Sequence, residues 1–148
     1  MKYLLQTVTA AGQRDATAAE VARRLGEPEA TLVLCGHAHL QRQRHVDLAS
    51  GAVQVANPGS VGLPAFDDQH DHPHVNESGS PHARYAVVEH DGQRWHVRLR
   101  QVVYDWEAAA LRAEANGRGD WADALRSGRV GRREAQCRAA QVRTGDGG

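Results

Sequence analysis

The sequence predicts an α/β fold, and three observations carry that prediction. Thr17-Ala18-Ala19-Glu20 matches a capping box, in which a threonine hydroxyl and a glutamate carboxylate satisfy the free amides at a helix start. A short, continuous apolar run from Ala30 to Cys35 follows, bounded by Pro28 and Gly36. Its length and β-branching read as a strand buried on both faces. Further along, Asp91-Gly92 separates two alternating segments, the strongest short-range signal for a β-hairpin.

Taken in order, residues 1–16 read as an irregular lead-in. The helix that opens at Thr17 shows one apolar face through Val21, Ala22 and Leu25, and Gly26 with Pro28 ends it. After the apolar strand, Arg44 to Leu48 and Ala52 to Ala56 read as a hairpin turning at Ser50-Gly51. Residues 63–82 read as a long polar loop holding His70, His72, His74 and His82. Arg84 to His90 and Gln93 to Val103 form the Asp91-Gly92 hairpin, with Tyr85, Val87, Trp95, Val97 and Leu99 alternating as half-buried strands do. Asp105 caps a helix over Trp106 to Asn116, closed by Gly117, and a shorter helix from Asp120 to Arg126 stops at Gly128. From Gly131 the chain is arginine, glutamine, alanine and glycine with almost no large apolar residue, which predicts a disordered tail over 131–148.

Composition narrows the function classes. The 148 residues suffice for one modest domain with a core. Lysine plus arginine balance aspartate plus glutamate at 18 each, so no overall field favours nucleic acid or a membrane surface. Arg94, Arg98 and Arg100 read as a solvent face of one strand. Cys35 and Cys137 follow no paired pattern and read as two reduced thiols. No run approaches the roughly 20 apolar residues of a membrane span, and the N-terminus lacks an apolar segment of signal-peptide length, so the cytoplasm is the expected compartment.

Two segments carry the chemistry. Leu34-Cys35-Gly36-His37-Ala38-His39 places two imidazoles, spaced i and i+2, just past the C-terminal end of the apolar strand, where open α/β sheets bind their ligands. Asn57-Pro58-Gly59-Ser60-Val61-Gly62 follows, a turn in which Pro58 fixes φ and Gly59 and Gly62 permit tight backbone. Together they resemble the closing motifs of the calcineurin-like metallophosphoesterases, in their small prokaryotic phosphodiesterase-like branch. That resemblance implies a two-metal site, built on manganese, iron, zinc, nickel or magnesium, that hydrolyses a phosphomonoester or phosphodiester. It implies that His37 coordinates one ion and His39 the other, with Gly36 letting the backbone approach closely. Asn57, Gly59 and Ser60 would support the metal loop and line the phosphate pocket. His72, His74 and Arg84 are candidates for the rim of the substrate pocket.

The opening motifs of the family are missing. Asp-x-His, Gly-Asp-x-x-Asp and Gly-Asn-His-Asp/Glu have no counterpart before Gly36, where there is no histidine, no asparagine and one aspartate, Asp15. Asp68-Gln69-His70 and Gly119-Asp120-Trp121-Ala122-Asp123 spell two of these patterns but lie after the histidine pair, and Asp120 reads as an ordinary helix cap. The resemblance therefore covers residues 1–130 as the C-terminal portion of a metallophosphoesterase domain, an α-β-β-α sandwich truncated on its N-terminal side. The expected consequences are a chain that is inactive alone, an exposed sheet edge, and oligomerisation or a complementing polypeptide. The alternative is a non-catalytic remnant or subunit that binds metal weakly.

Overall fold

Thr17 does what its sequence context predicts. Its hydroxyl accepts from the Glu20 amide at 3.2 Å, and the Glu20 carboxylate accepts from the Thr17 amide at 2.8 Å. This capping box opens α1 (Ala18–Leu25), and Gly26, with φ 65°, closes it. The computed structural model describes residues 3–69 and 72–138. It divides the chain into two compact units, Met1–Ser60 with Arg84–Gln101 and Val61–Ala83 with Val102–Gly148.

In the first unit the expected irregular lead-in is instead a hairpin, β1 (Gln6–Thr9) paired antiparallel with β2 (Gly12–Asp15). Every residue of β2 is exposed. The pair is held by its backbone ladder and by a side-chain bond from Gln6 to Gln13, and leaves no hydrophobic alternation to read. A three-stranded sheet follows, in the order β3 (Leu32–Leu34), β5 (Gly51–Pro58), β4 (Gln41–Leu48), with β3 parallel and β4 antiparallel to β5. The Ser50-Gly51 turn sits where expected, but both strands run longer than the sequence shows. Four of their six added residues, Gln41, Arg42, Gln43 and Asn57, are polar, and the other two are Gly51 and Pro58.

Register sorts the faces of this sheet. Val33 lies opposite Val55 and Val46 opposite Val53. These side chains pack with Leu5, Ala16 and Val21 into one core, flanked by Ala22 and Leu25. Val21 and Val55 have no exposed surface, and burying each side chain contributes about 1.5–3 kcal/mol. On the opposite face, Gln41 donates to the carbonyls of Tyr85 (3.2 Å) and Arg100 (2.8 Å), and Gln43 to that of Val97 (3.2 Å). These carbonyls belong to the hairpin of β8 (Ala83–His90) and β9 (Trp95–Val102). At its tip the Asp91 carboxylate accepts from the amides of Gln93 and Arg94. β3 departs from the strand buried on both faces that its composition predicts. It is three residues long, has β5 as its one neighbour among the described residues, and leaves Leu34 55% exposed.

The second unit replaces the expected polar loop with β6 (Ala65–Asp68) and β7 (His74–Glu77), an antiparallel pair. Asp105 caps α2 (Trp106–Ala115) through the Ala108 amide at 3.0 Å. The next helix, α3 (Gly119–Ser127), ends at left-handed Gly128. Asp120 is not its cap. That position is Arg118, and Asp120, in the first turn, is paired with the Arg118 guanidinium at 2.7 Å. Ala110, Ala113, Ala122 and Leu125 form the core of this unit. Arg126 bridges Glu107 and Glu114, both at 2.6 Å, and so ties α2 to α3. A Cβ on Gly128 would stand 2.2 Å from the Ser80 nitrogen, so only glycine fits that crossing.

Ordered structure extends past the predicted start of the tail. Residues 134–138 are helical, Arg132 pairs with Asp123 at 2.8 Å, and Cys137 is buried. The composition there misleads because these contacts are ion pairs and one small thiol rather than large apolar groups. The rest of the expected tail, residues 139–148, lies outside the described residues. Cys35 and Cys137 are both free thiols. Among the described residues no helix is long and apolar enough to cross a membrane.

Candidate functional site

The ladder between β3 and β5 runs one residue beyond the strand, with the Cys35 amide donating to the Ala56 carbonyl at 2.9 Å. The backbone then turns sharply. The Ala38 amide donates to the Gly36 carbonyl at 2.9 Å across His37, whose φ is 71°. A bond from residue i+2 back to i with a positive central φ is the strained form of the γ-turn. Two residues on, His39 has φ 59°. Among the described residues these are the two non-glycine positions with positive φ. Each such conformation costs about 1–3 kcal/mol and persists where its surroundings over-determine it.

Asn57 supplies part of that constraint. It is 2% exposed, and its amide donates to the Gly36 carbonyl at 3.1 Å while its carbonyl accepts from the Gly59 amide at 3.0 Å. One side chain thus ties the histidine loop to the turn that follows β5. Gly59, with φ 86°, is required on two counts, because a Cβ would lie 2.7 Å from Arg84 Cβ and 3.0 Å from Gln41 Cγ. The Ser60 carbonyl accepts from the Arg84 amide at 2.8 Å.

Gly36 and Gly62 stand in open positions. A Cβ on Gly36 or on Gly62 meets nothing within 4 Å. Neither glycine has the left-handed backbone seen at the two histidines. The left-handed backbone of this loop falls on His37 and His39.

The surroundings of the loop are apolar. His37 is exposed, His39 half-buried and Ala38 buried. The Tyr3 ring lies against the His37 imidazole, with centroids 5.0 Å apart and planes inclined by 32°. A groove of about 490 Å³, lined by Leu4, Leu25, Val33, Cys35 and His37, adjoins the loop. Burial pushes the Cys35 thiol above its ordinary range, so it is a poor thiolate donor. The Arg24 guanidinium, which also borders the groove, donates to the carbonyls of Leu4 and Gln6 and to the Thr7 hydroxyl.

The remaining candidates are dispersed. Arg84 lies in the same unit as the histidine pair but is 4% exposed, and burial lowers its pKa. It packs over Gly59 rather than standing at an open rim. His72 and His74 belong to the other unit, where the His74 Nδ1 is bonded to the His72 carbonyl at 2.8 Å. His70 lies outside the described residues. Of the look-alike carboxylates, Asp120 is held by Arg118 and Asp123 by Arg132.

Imidazole suits iron, zinc or nickel in kind, whereas manganese and magnesium favour oxygen donors, and two histidines on one turn can present two donors. They do not suffice in number. Among the described residues no three of histidine, cysteine, aspartate and glutamate converge on a position able to hold an ion. The Tyr3 contact is the feature that sequence reasoning misses, since nothing in the pattern links positions 3 and 37.

Comparison with family models, with curated proteins and with solved structures yields no match to this chain. The reading of the site therefore rests on its own residues.

Proposed function

We propose that this chain supplies the histidine-loop portion of a metal-dependent phosphoesterase site, of the two-metal kind used by calcineurin-like enzymes. In this reading it binds a divalent ion weakly through His37 and His39, and it hydrolyses no phosphate ester until further donors are added. The observation that carries the reading is the loop itself. Both candidate ligands occupy strained left-handed backbone, and the buried Asn57 side chain bonds the Gly36 carbonyl at the start of that loop. Strain of this kind clusters at functional sites, and glycine would hold both positions without that cost.

Two features support the finer architecture, a portion of an α-β-β-α sandwich. The mixed sheet β3-β5-β4 carries α1 on one face, and Gln41 and Gln43 bond the β8–β9 hairpin on the other. The lack of a third donor among the described residues favours a non-catalytic or complemented chain over a complete enzyme. The edge position of β3 and the exposure of Leu34 support a complementing polypeptide that extends the sheet.

The test is hydrolysis of bis(p-nitrophenyl) phosphate by the purified chain in excess manganese, beside His37→Ala and His39→Ala, with manganese binding measured on all three. The expected result is weak binding in the wild type, weaker binding in both variants, and no turnover above manganese alone. Turnover that His39→Ala abolishes would show a complete site. Binding unchanged in both variants would remove the histidine pair from the account.

A further inference from the structure

We infer that Tyr3 is a positioning residue for His37, its ring fixing the plane in which the imidazole is held on the loop. The part of this claim that concerns metal rests on the function proposed above; the part that concerns ring geometry does not.

Burial decides which ring positions the other. Tyr3 is 9% exposed, whereas His37 is an exposed residue on a turn. The segment that carries Tyr3 is anchored. Leu5 belongs to the core of the first unit, Leu4 packs against that core, and the Leu5 carbonyl accepts from the Ala16 amide at 3.0 Å. A centroid separation of 5.0 Å and an inclination of 32° form a tilted contact within the usual range for aromatic pairs. The γ-turn fixes the direction of the His37 Cα–Cβ bond but does not itself set the two side-chain torsions, and the flat face of a buried neighbour restricts them. An imidazole whose orientation is already fixed loses less entropy when it binds an ion, and groups that orient ligands are worth about 10–100-fold in metal affinity.

The same geometry explains why the strained turn is useful. A left-handed residue at 37 directs its side chain where regular backbone after β3 would not, and Tyr3 is the surface it meets there. The hydroxyl of Tyr3 has no part in this role, so phenylalanine should substitute for it.

The experiment is NMR of the full metal-free chain, followed by titration with cobalt(II) alone. The wild type should show cross-relaxation between the ring protons of Tyr3 and His37, and an upfield displacement of the His37 ring protons. Tyr3→Phe should keep that displacement and Tyr3→Leu should lose it. Cobalt affinity should fall about tenfold in Tyr3→Leu and by less than about threefold in Tyr3→Phe. Absence of the wild-type cross-peak overturns the inference, as does loss of the displacement in Tyr3→Phe. If the amide spectrum shows that Tyr3→Leu fails to fold, the wild-type cross-peak and Tyr3→Phe decide the matter. Equal cobalt affinity in folded Tyr3→Leu and wild type overturns the positioning role. Failure of cobalt to bind the wild type, with the ring contact present, overturns the proposed function and leaves the contact standing.

Discussion

Replacing Asn57 with alanine removes a side chain that bonds both the histidine loop and the turn after β5. The structure sets the size of the effect. Asn57 is 2% exposed and makes two bonds, to the Gly36 carbonyl at 3.1 Å and from the Gly59 amide at 3.0 Å. The Gly36 carbonyl keeps its bond from Ala38 and is open to water, so its loss is near the low end for a hydrogen bond. The Gly59 amide is half-buried and loses its acceptor, which costs more. At about 0.5–1.5 kcal/mol for each bond, with the larger share at Gly59, Asn57→Ala should destabilise the chain by about 2 kcal/mol. Asn57→Asp retains an acceptor for Gly59 but sets an oxygen against the Gly36 oxygen, so it should recover no more than half of that loss. Urea denaturation followed by tryptophan fluorescence measures both variants, and the midpoint should move without a change in slope. An Asn57→Ala variant within about 0.5 kcal/mol of the wild type, the range of an ordinary surface substitution, would refute the view that this side chain holds the loop.

Further expectations follow from single contacts. Gly59→Ala combines positive φ with a Cβ 2.7 Å from Arg84 Cβ, and should cost more than about 2 kcal/mol in the same denaturation experiment, whereas Gly36→Ala, which meets nothing within 4 Å, should cost under about 0.5 kcal/mol. Thr17→Ala should lose about 1 kcal/mol, with helical circular dichroism reduced, because it opens the capping box of α1. The Arg132 guanidinium holds the Asp123 carboxyl below its ordinary pKa. A depressed carboxyl stabilises the fold above its unfolded pKa, and that contribution is lost as pH falls through the folded value. Stability should therefore decline as pH drops below about 4, the ordinary carboxylate range, and Asp123→Asn should flatten that part of the denaturation profile.

Local chemistry made much of this fold readable. The capping box at Thr17, the Asp91-Gly92 turn and the Asp105 cap each declare themselves in a few adjacent residues, and the structure has all three. Elements without apolar alternation stayed hidden. β2 is exposed throughout, and the β6–β7 pair lies in a polar stretch, so backbone pairing leaves no trace in hydrophobicity. β3 misled in the opposite sense. Leu-Val-Leu looks buried on both faces, yet the strand lies at a sheet edge, and edge or centre is decided by distant chain. At the candidate site the histidine pair was visible, but its strain, its link to Asn57 and its contact with Tyr3 were not. Each of these depends on residues about 20 or more positions apart meeting in three dimensions. The division into two units was equally silent, because each unit joins segments that are distant in sequence, and its cuts lie near Ser60, Ala83 and Gln101.

The most direct test of the central claim is a manganese titration of the full chain watched through its histidine ring resonances. Manganese broadens protons near its binding position, so the account predicts selective broadening of His37 and His39 at metal concentrations that leave His45, His90 and His96 sharp. Broadening centred on His72 and His74, or spread evenly over all histidines, would contradict the assignment of the strained loop as the metal-binding element.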